Sequence, residues 1–168
     1  MSYDLDELCV NNLWMIPKHF FLPSLIEKRN PLSDKARRAG WVGCNILYDQ
    51  IPNQGRISII QDRVPIEKET VLYQVRRSAQ LLTENIDARG WLLDVLQCVN
   101  QIPEDTFNLD AVYQYEPVLA AKHPKNHNIR PKIRQQLQLL RDKGFIEFVG
   151  RGLYRKTEAD TQARCFNA

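Results

Sequence analysis

The sequence predicts an α+β fold, and three observations point to it. A short unbroken apolar run at residues 13–16 is typical of a buried strand. In several later stretches, apolar residues recur three and four positions apart, which is the spacing of an amphipathic helix. Near the end, two extended segments flank a tight turn at residues 150–152. We therefore expect a mixed α/β N-terminal part and a helical C-terminal part that a β-hairpin closes.

The composition is that of an ordinary globular protein, with 43% hydrophobic and 26% charged residues in a chain of 168. No stretch approaches the roughly 20 apolar residues of a membrane span, and the acidic start is unlike a secretory signal. These features predict a cytoplasmic protein with no membrane partner. The cysteines are far apart and form no zinc-binding motif, so we expect reduced, mostly buried thiols at Cys9, Cys44, Cys98 and Cys165.

Short elements separated by turns are expected in the N-terminal part. They are a strand over residues 9–16, a helical stretch over 23–28, a helix over 34–39 that Gly40 ends, and a strand over 56–60. A longer amphipathic helix follows, with Val71, Val75, Ala79 and Leu82 on its inward face. The end of this helix marks the expected domain boundary.

Two helices are expected next. Gly90 precedes the first, whose inward face begins at Trp91, and Pro103 breaks the chain after it. Asn108 is the expected N-cap of the second helix, and Pro117 should divide it.

A third helix, capped by Asn126 or Asn128, ends at Gly144. Its apolar residues recur at helical spacing: Ile129, Ile133, Leu137 and Leu140. The hairpin follows directly. Three helices closed by a β-hairpin make a winged helix, which is a variant of the helix-turn-helix.

The positive charge of the chain is concentrated in this last module. Residues 125–156 contain nine lysines and arginines against two acids, a local balance of +7, whereas the whole chain carries +3. Such a concentration of cations is typical of a DNA-binding surface. The alternative is a winged helix that binds protein and has a solvated, charged helix face.

The polar side of the third helix carries groups suited to a major groove. Gln135 and Gln138 are the candidates to contact bases, because Gln can pair bidentately with adenine. The candidates for guanine, phosphate or minor-groove contacts are the cations Lys132, Arg134, Arg151, Arg155 and Lys156. His123 and His127 do not predict a metal site, since Pro124 lies between them and no third ligand is near.

Three segments carry a resemblance to a known family. They read ARRAGWVGCNI at residues 36–46, IRQQLQLLRDK at residues 133–143 and IEFVGRGLYRK at residues 146–156. These segments are similar to those of the Dam-replacing, DpnI-like restriction endonucleases, and the likeness runs from about Val10 to Lys156.

The resemblance implies a PD-(D/E)xK nuclease domain followed by a winged helix, in an enzyme that uses Mg²⁺ and cleaves GATC when the adenine is N6-methylated. It also implies that Trp41 packs against the methyladenine. A flat indole offers a dry contact for one added methyl group. Arg37 and Arg38, in the same segment, are candidate DNA contacts.

The chain departs from the family in one respect. The family's catalytic aspartate, its Glu-x-Lys motif and its zinc-binding cysteines lie upstream of the strand that matches residues 9–16. The acidic residues at 4–7 and 67–69 do not place an aspartate on one strand and Glu-x-Lys on the next, as a Mg²⁺ site of this kind requires. We therefore expect no catalytic residue, metal or cofactor in this chain, and DNA binding without cleavage.

The predicted organisation is the C-terminal part of a PD-(D/E)xK domain at residues 1–86, a winged helix at 87–156 and a flexible tail at 157–168. The expected partner is double-stranded DNA with N6-methylated GATC. A methyl-directed endonuclease completed by an upstream part is the alternative. In a complete PD-(D/E)xK domain, central strands would cover residues 13–16 and the helix bearing Val71. Without those strands these elements would expose apolar surface, which predicts self-association or binding of an upstream nuclease fragment.

Overall fold

The computed structural model of the protein describes residues 1–157. The predicted tail therefore lies outside the described residues, apart from Thr157. The first part contains β1 (Ser2–Asp4), β2 (Cys9–Met15), β3 (Ile26–Lys28), β4 (Cys44–Ile46), β5 (Ile57–Gln61), β6 (Val64–Pro65) and α1 (Lys68–Ala79). The second contains α2 (Ile86–Gln101), β7 (Thr106–Asn108), α3 (Leu109–Tyr113), α4 (Glu116–Lys122), α5 (Ile129–Asp142), β8 (Ile146–Gly150) and β9 (Leu153–Lys156). The predicted α+β class is confirmed.

The first sheet is antiparallel, with the strand order β1-β2-β5-β6. Leu13 in β2 lies opposite Ile60 in β5, and Met15 lies opposite Ile57. The predicted strand at 9–16 therefore forms, but its side chains are half-buried along its whole length. Helix α1 packs beside β5.

Strands β3 and β4 form a separate two-stranded hairpin, where a helix was expected at 23–28. Only a single 3₁₀ turn, Pro23–Leu25, precedes β3. Leu25 is buried in the core, and its carbonyl accepts a hydrogen bond from the backbone N–H of Leu47, 2.9 Å away. This anchors the start of β3 beside β4, so strand pairing replaces a second helical turn.

The segment that joins β3 to β4 is an exposed arm, residues 29–43. The predicted helix at 34–39 is wrong, because this stretch consists of turns. The hairpin ladder instead continues into the arm, where the N–H of Leu32 donates to the carbonyl of Trp41 at 2.9 Å. Gly40 adopts the left-handed conformation expected of it, with φ of 75°.

The long helices of the middle of the chain differ in register from the prediction. Helix α1 ends at Ala79, so Ala79 and Leu82 are exposed and Leu81 enters the core instead. Helix α2 begins a turn earlier than expected, at Ile86, and Gly90 lies inside it. Asn85 makes this early start possible, since its side chain caps the helix by accepting from the N–H of Ala88 at 3.0 Å.

The second part consists of four helices and a three-stranded sheet with the order β7-β9-β8. Asn108 caps α3 as predicted, with its side-chain oxygen 2.8 Å from the N–H of Ala111. Pro117 lies in the first turn of α4 and separates it from α3. Gly144 and Gly152, which follow α5 and close the hairpin, have φ of 75° and 69°.

Within residues 1–157, one hydrophobic cluster runs through both parts of the chain. It joins Phe20, Leu25 and Ile51 to residues of α2 and α5. The stretch 90–96 of α2 is buried on all sides, because α2 is covered by core residues of the first part as well as by the other helices of the second part. The hydrophobic core is continuous across residue 86, so the core does not mark a boundary there, and the domain boundary stays a prediction. No helix in residues 1–157 combines the length and the apolar character needed to cross a membrane.

Polar contacts reinforce this junction. The guanidinium of Arg77 in α1 lies 4.4 Å from the centre of the Phe145 ring. It donates to the carbonyl of Gly144 and, at 2.9 Å, to the hydroxyl of Thr157. A cation is favourable here, because the carbonyl of Gly144 lies at the negative C-terminal end of α5.

Candidate nucleic-acid interface

Helix α5 carries the polar surface that the sequence predicts for DNA contact. Ile133, Leu137 and Leu140 are completely buried, so the opposite side of the helix faces solvent. Four predicted contact residues belong to the outward side: Lys132, Arg134, Gln135 and Gln138. Lys132 donates to the side-chain oxygen of Gln135 at 2.8 Å, which joins a cation to a candidate base-contacting amide.

Helices α3 and α5 meet at a cluster of one tyrosine and two arginines. Arg134 donates to the hydroxyl oxygen of Tyr113 at 2.8 Å. The guanidinium of Arg130 lies 4.9 Å from the centre of the same ring and donates to Glu116 at 2.7 Å. The hydrogen bond and the charge of Glu116 raise the pKa of Arg130. The helical spacing of the sequence predicts that Tyr113 faces inward, and this pattern gives no sign that its hydroxyl reaches α5.

The hairpin β8–β9 presents two of its three predicted cations. Arg151 lies exposed in the turn, and Arg155 is exposed on β9 opposite Glu147. Phe148 and Val149 on β8 are also exposed, by 54% and 43%. The hairpin surface is thus both cationic and apolar.

Lys156 is not part of this surface, and its prediction as a DNA contact is wrong. The side chain is only 4% exposed, and its ammonium donates to the carbonyl of Ile102. Strand β9 pairs with β7 on one side, and alternate residues of a strand point to opposite faces. Arg155 therefore faces solvent, while Lys156 faces the interior and lies 6.0 Å from the Phe107 ring.

The arm holds the remaining predicted site residues. Arg37 and Arg38 are exposed, and Trp41 is 52% exposed. The indole of Trp41 lies against the backbone of Gly43, where a Cβ would stand 2.9 Å from the ring carbon Cζ3. Each of these side chains is presented to solvent on a projection from the first part of the chain.

His123 has a structural partner that explains its position. Its Nε2 lies 2.9 Å from a carboxylate oxygen of Asp94, and its ring stacks on Trp91 with 3.9 Å between ring centres. Lys122 binds the other oxygen of Asp94 at 2.7 Å, so this buried carboxylate has two cationic or donor partners. The cluster fastens α4 to α2.

Among residues 1–157, one group of potential metal ligands lies close together: Asp4, Glu7 and Cys9, with ligand atoms within 4.8 Å of one another. Arg63 binds both carboxylates, and backbone N–H groups of Glu7 and Asp6 lower the pKa of Asp4. A thiol is a poor ligand for Mg²⁺, which prefers oxygen. This group therefore does not fit the Mg²⁺ site implied by the family.

The cysteines differ in environment, so the prediction that most are buried holds only in part. Cys98 is buried, whereas Cys44 is exposed and Cys9 half-buried. Burial, together with the charge of Asp94, raises the pKa of the Cys98 thiol to about 12, so this thiol is not a nucleophile. Cys165 lies outside the described residues.

Comparison with protein-family models assigns both parts of the chain. Residues 1–84 match the Dam-replacing family, and residues 87–156 match the Dam-replacing HTH domain. The chain belongs to the Dam-replacing, DpnI-like family. The predicted resemblance is thereby confirmed. The HTH match runs from α2 to β9, so the basic face of α5 belongs to a helix-turn-helix domain, which suggests DNA binding.

Proposed function

We propose that this protein binds double-stranded DNA through a winged helix formed by α2 to β9, and that it prefers GATC sites with N6-methylated adenine. Helix α5 enters the major groove, and the hairpin β8–β9 is the wing. The observation that carries this proposal is the outward face of α5, where amide and cationic side chains lie together on a helix-turn-helix domain. In this fold the second helix of the motif contacts base edges.

The side chains divide by chemistry. Gln135 and Gln138 are exposed amides that offer a donor and an acceptor to adenine. Arg151 and Arg155 on the wing supply charge to phosphates or to the minor groove. The exposed Phe148 beside them can contact deoxyribose without losing any polar partner.

The preference for methyladenine is assigned to Trp41 in the arm. Its indole is half-exposed, as a surface that packs against a base must be before binding. Arg37 and Arg38 lie in the same arm and neutralise the phosphates that flank the bound base. The arm and α5 together then give two contacts with methylated DNA.

We propose further that this chain binds DNA without cutting it. The support is the group Asp4, Glu7 and Cys9, which Arg63 already neutralises in part and which does not suit Mg²⁺. A complete methyl-directed endonuclease would form with an upstream nuclease part. Leu72 and Tyr73, exposed on α1 by 41% and 53%, supply an apolar surface for such a part or for a second copy.

A duplex titration tests this function. Methylated, hemimethylated and unmethylated GATC duplexes are titrated at two salt concentrations. Neutralisation of about five phosphates gives a slope of log affinity against log salt of roughly −4 to −5. Trp41→Ala should abolish the methylation preference and leave the slope unchanged, because it removes no charge.

Arg134→Ala should weaken binding to all three duplexes and reduce the slope by about one. Lys68→Ala is the matched control, because Lys68 is an exposed cation on α1, outside α5, the wing and the arm. Equal affinity for methylated and unmethylated duplexes would refute the methyl preference. A slope near zero would refute DNA binding, and Mg²⁺-dependent cutting of methylated plasmid would refute the lack of cleavage.

A further inference from the structure

Tyr113 is the last residue of α3, where α3 lies against α5. Its ring is half-buried beneath the guanidinium of Arg130, and its hydroxyl accepts the hydrogen bond from Arg134. In this motif the first helix crosses the DNA backbone while the second enters the groove. Because α3 lies beside α5, the helix proposed to enter the groove, the tyrosine hydroxyl and Arg134 lie at the edge of that helix, on the side where the DNA backbone borders the groove.

The two arginines around Tyr113 differ in whether an acidic side chain balances their positive charge. Arg130 is paired with the carboxylate of Glu116 at 2.7 Å, which neutralises both groups. Arg134 is exposed, and within residues 1–157 its hydrogen-bond partner is the neutral hydroxyl of Tyr113. Arg134 therefore keeps its full positive charge, and its other N–H groups remain for an incoming anion.

The hydroxyl group of Tyr113 can also donate a hydrogen bond. Its oxygen accepts the hydrogen bond from Arg134, so its own hydrogen is directed away from Arg134 and can be donated to a ligand. A hydroxyl that accepts from a cation becomes a stronger donor, because hydrogen bonds in a chain polarise one another. The pairing of Arg130 with Glu116 reduces the repulsion that this carboxylate would exert on a phosphate.

We propose that Tyr113 and Arg134 form a phosphate-binding pair for the DNA backbone. Tyr113 holds the guanidinium in place and donates its hydroxyl hydrogen to one phosphate oxygen, while Arg134 donates to another. This inference rests on the proposed DNA binding and refines it. Arg134 becomes a backbone contact, which leaves base contact on α5 to Gln135 and Gln138. Tyr113 is a binding residue in its own right and also positions Arg134.

The test is Tyr113→Phe, which removes the hydroxyl and keeps the ring that supports Arg130. Affinity should fall roughly 10- to 150-fold, as expected for one hydrogen bond to a charged group. The fall should be equal for methylated and unmethylated duplexes, because a phosphate contact carries no base information. The salt slope should stay the same, since no charge is lost, whereas Arg134→Ala reduces it by about one.

The double variant separates a pair from two independent contacts. With Arg134 already replaced by Ala, the further change Tyr113→Phe should cost clearly less affinity than it does in the wild type. Tyr3→Phe is the matched control, because Tyr3 is an exposed tyrosine of β1, outside α1, α5, the wing and the arm, and should leave affinity unchanged. Circular dichroism melting of each variant checks that it is folded.

The possible results separate a failure of the Tyr113–Arg134 proposal from a failure of the proposed DNA binding. Wild-type affinity in Tyr113→Phe, with a steep salt slope retained, would overturn the pair and leave DNA binding intact. A loss confined to the methylated duplex would also overturn it, since Tyr113 would then contact a base. A wild-type protein without salt-dependent binding would refute the proposed function, and the pair with it.

Discussion

At the scale of single residues, the position of the Trp41 ring depends on the absence of a side chain at Gly43. The indole lies across the backbone of this glycine, two residues further along the chain. A Cβ at position 43 would stand 2.9 Å and 3.0 Å from two ring carbons of Trp41 and 3.6 Å from Cδ of Arg29. Since ordinary carbon contacts are longer than 3.4 Å, the ring would have to move.

Gly43→Ala should therefore reduce the preference for methylated DNA, if Trp41 is the methyladenine contact. An aromatic contact contributes about 0.5–1.5 kcal/mol, so the ratio of the two affinities should fall roughly 2- to 10-fold. The ratio is measured by titrating methylated and unmethylated duplexes. Gly90→Ala is the control, because a Cβ there meets its nearest atom at an ordinary 3.8 Å. An unchanged ratio in Gly43→Ala would show that the resting position of the ring is unimportant.

At the scale of elements, the sequence predicts those that local signals determine. Helix α5 has four apolar residues at helical spacing and a glycine at its end, and the structure places it at Ile129–Asp142. Strands β3 and β7 are three residues long and exist because they pair with distant strands, so no local pattern indicates them. The error at Lys156 has the same cause, since pairing with β7 decides which face of β9 is covered.

The same reasoning applies to the 3₁₀ turn Asn53–Gly55, which packs against the buried ring of Phe20. A Cβ on Gly55 would lie 2.5 Å from Cδ1 of Phe20, and this ring is completely buried and has no space to retreat. Gly55→Ala should destabilise the protein by about 1–3 kcal/mol, the usual cost of overpacking a core. Urea denaturation measures the loss. Gly150→Ala, whose Cβ meets nothing within 4 Å, should be close to neutral, and equal stability of the two variants would contradict the prediction.

At the scale of the whole molecule, the two parts share one core, and a buried histidine ties the segment before Phe20 to α1 within the first part. His19 precedes Phe20 in the first part, and its Nε2 donates to the carbonyl of Ser78 at 2.9 Å. Burial lowers the pKa of His19 from its ordinary value of 6.5, and the charge of Arg89 lowers it further, against the opposing effect of the bond to Ser78. The folded protein therefore keeps His19 neutral at a pH where the unfolded chain binds a proton.

This difference makes stability depend on pH. Because the folded pKa is lowered, the contribution of His19 is fully present above the unfolded value of about 6.5 and is lost as the pH falls toward the folded value. His19→Gln keeps an N–H that can reach Ser78 but does not titrate. We expect the free energy of unfolding of the wild type to fall, relative to that of His19→Gln, as the pH falls below 6.5.

Taking the difference between the two proteins isolates the contribution of His19 from those of all other groups that titrate in this range. Urea denaturation at a series of pH values gives this difference. If it is constant from neutral pH to about pH 5, His19 does not titrate differently in the folded and unfolded states. A difference that grows on acidification would instead show that the contact between His19 and the end of α1 is sensitive to pH.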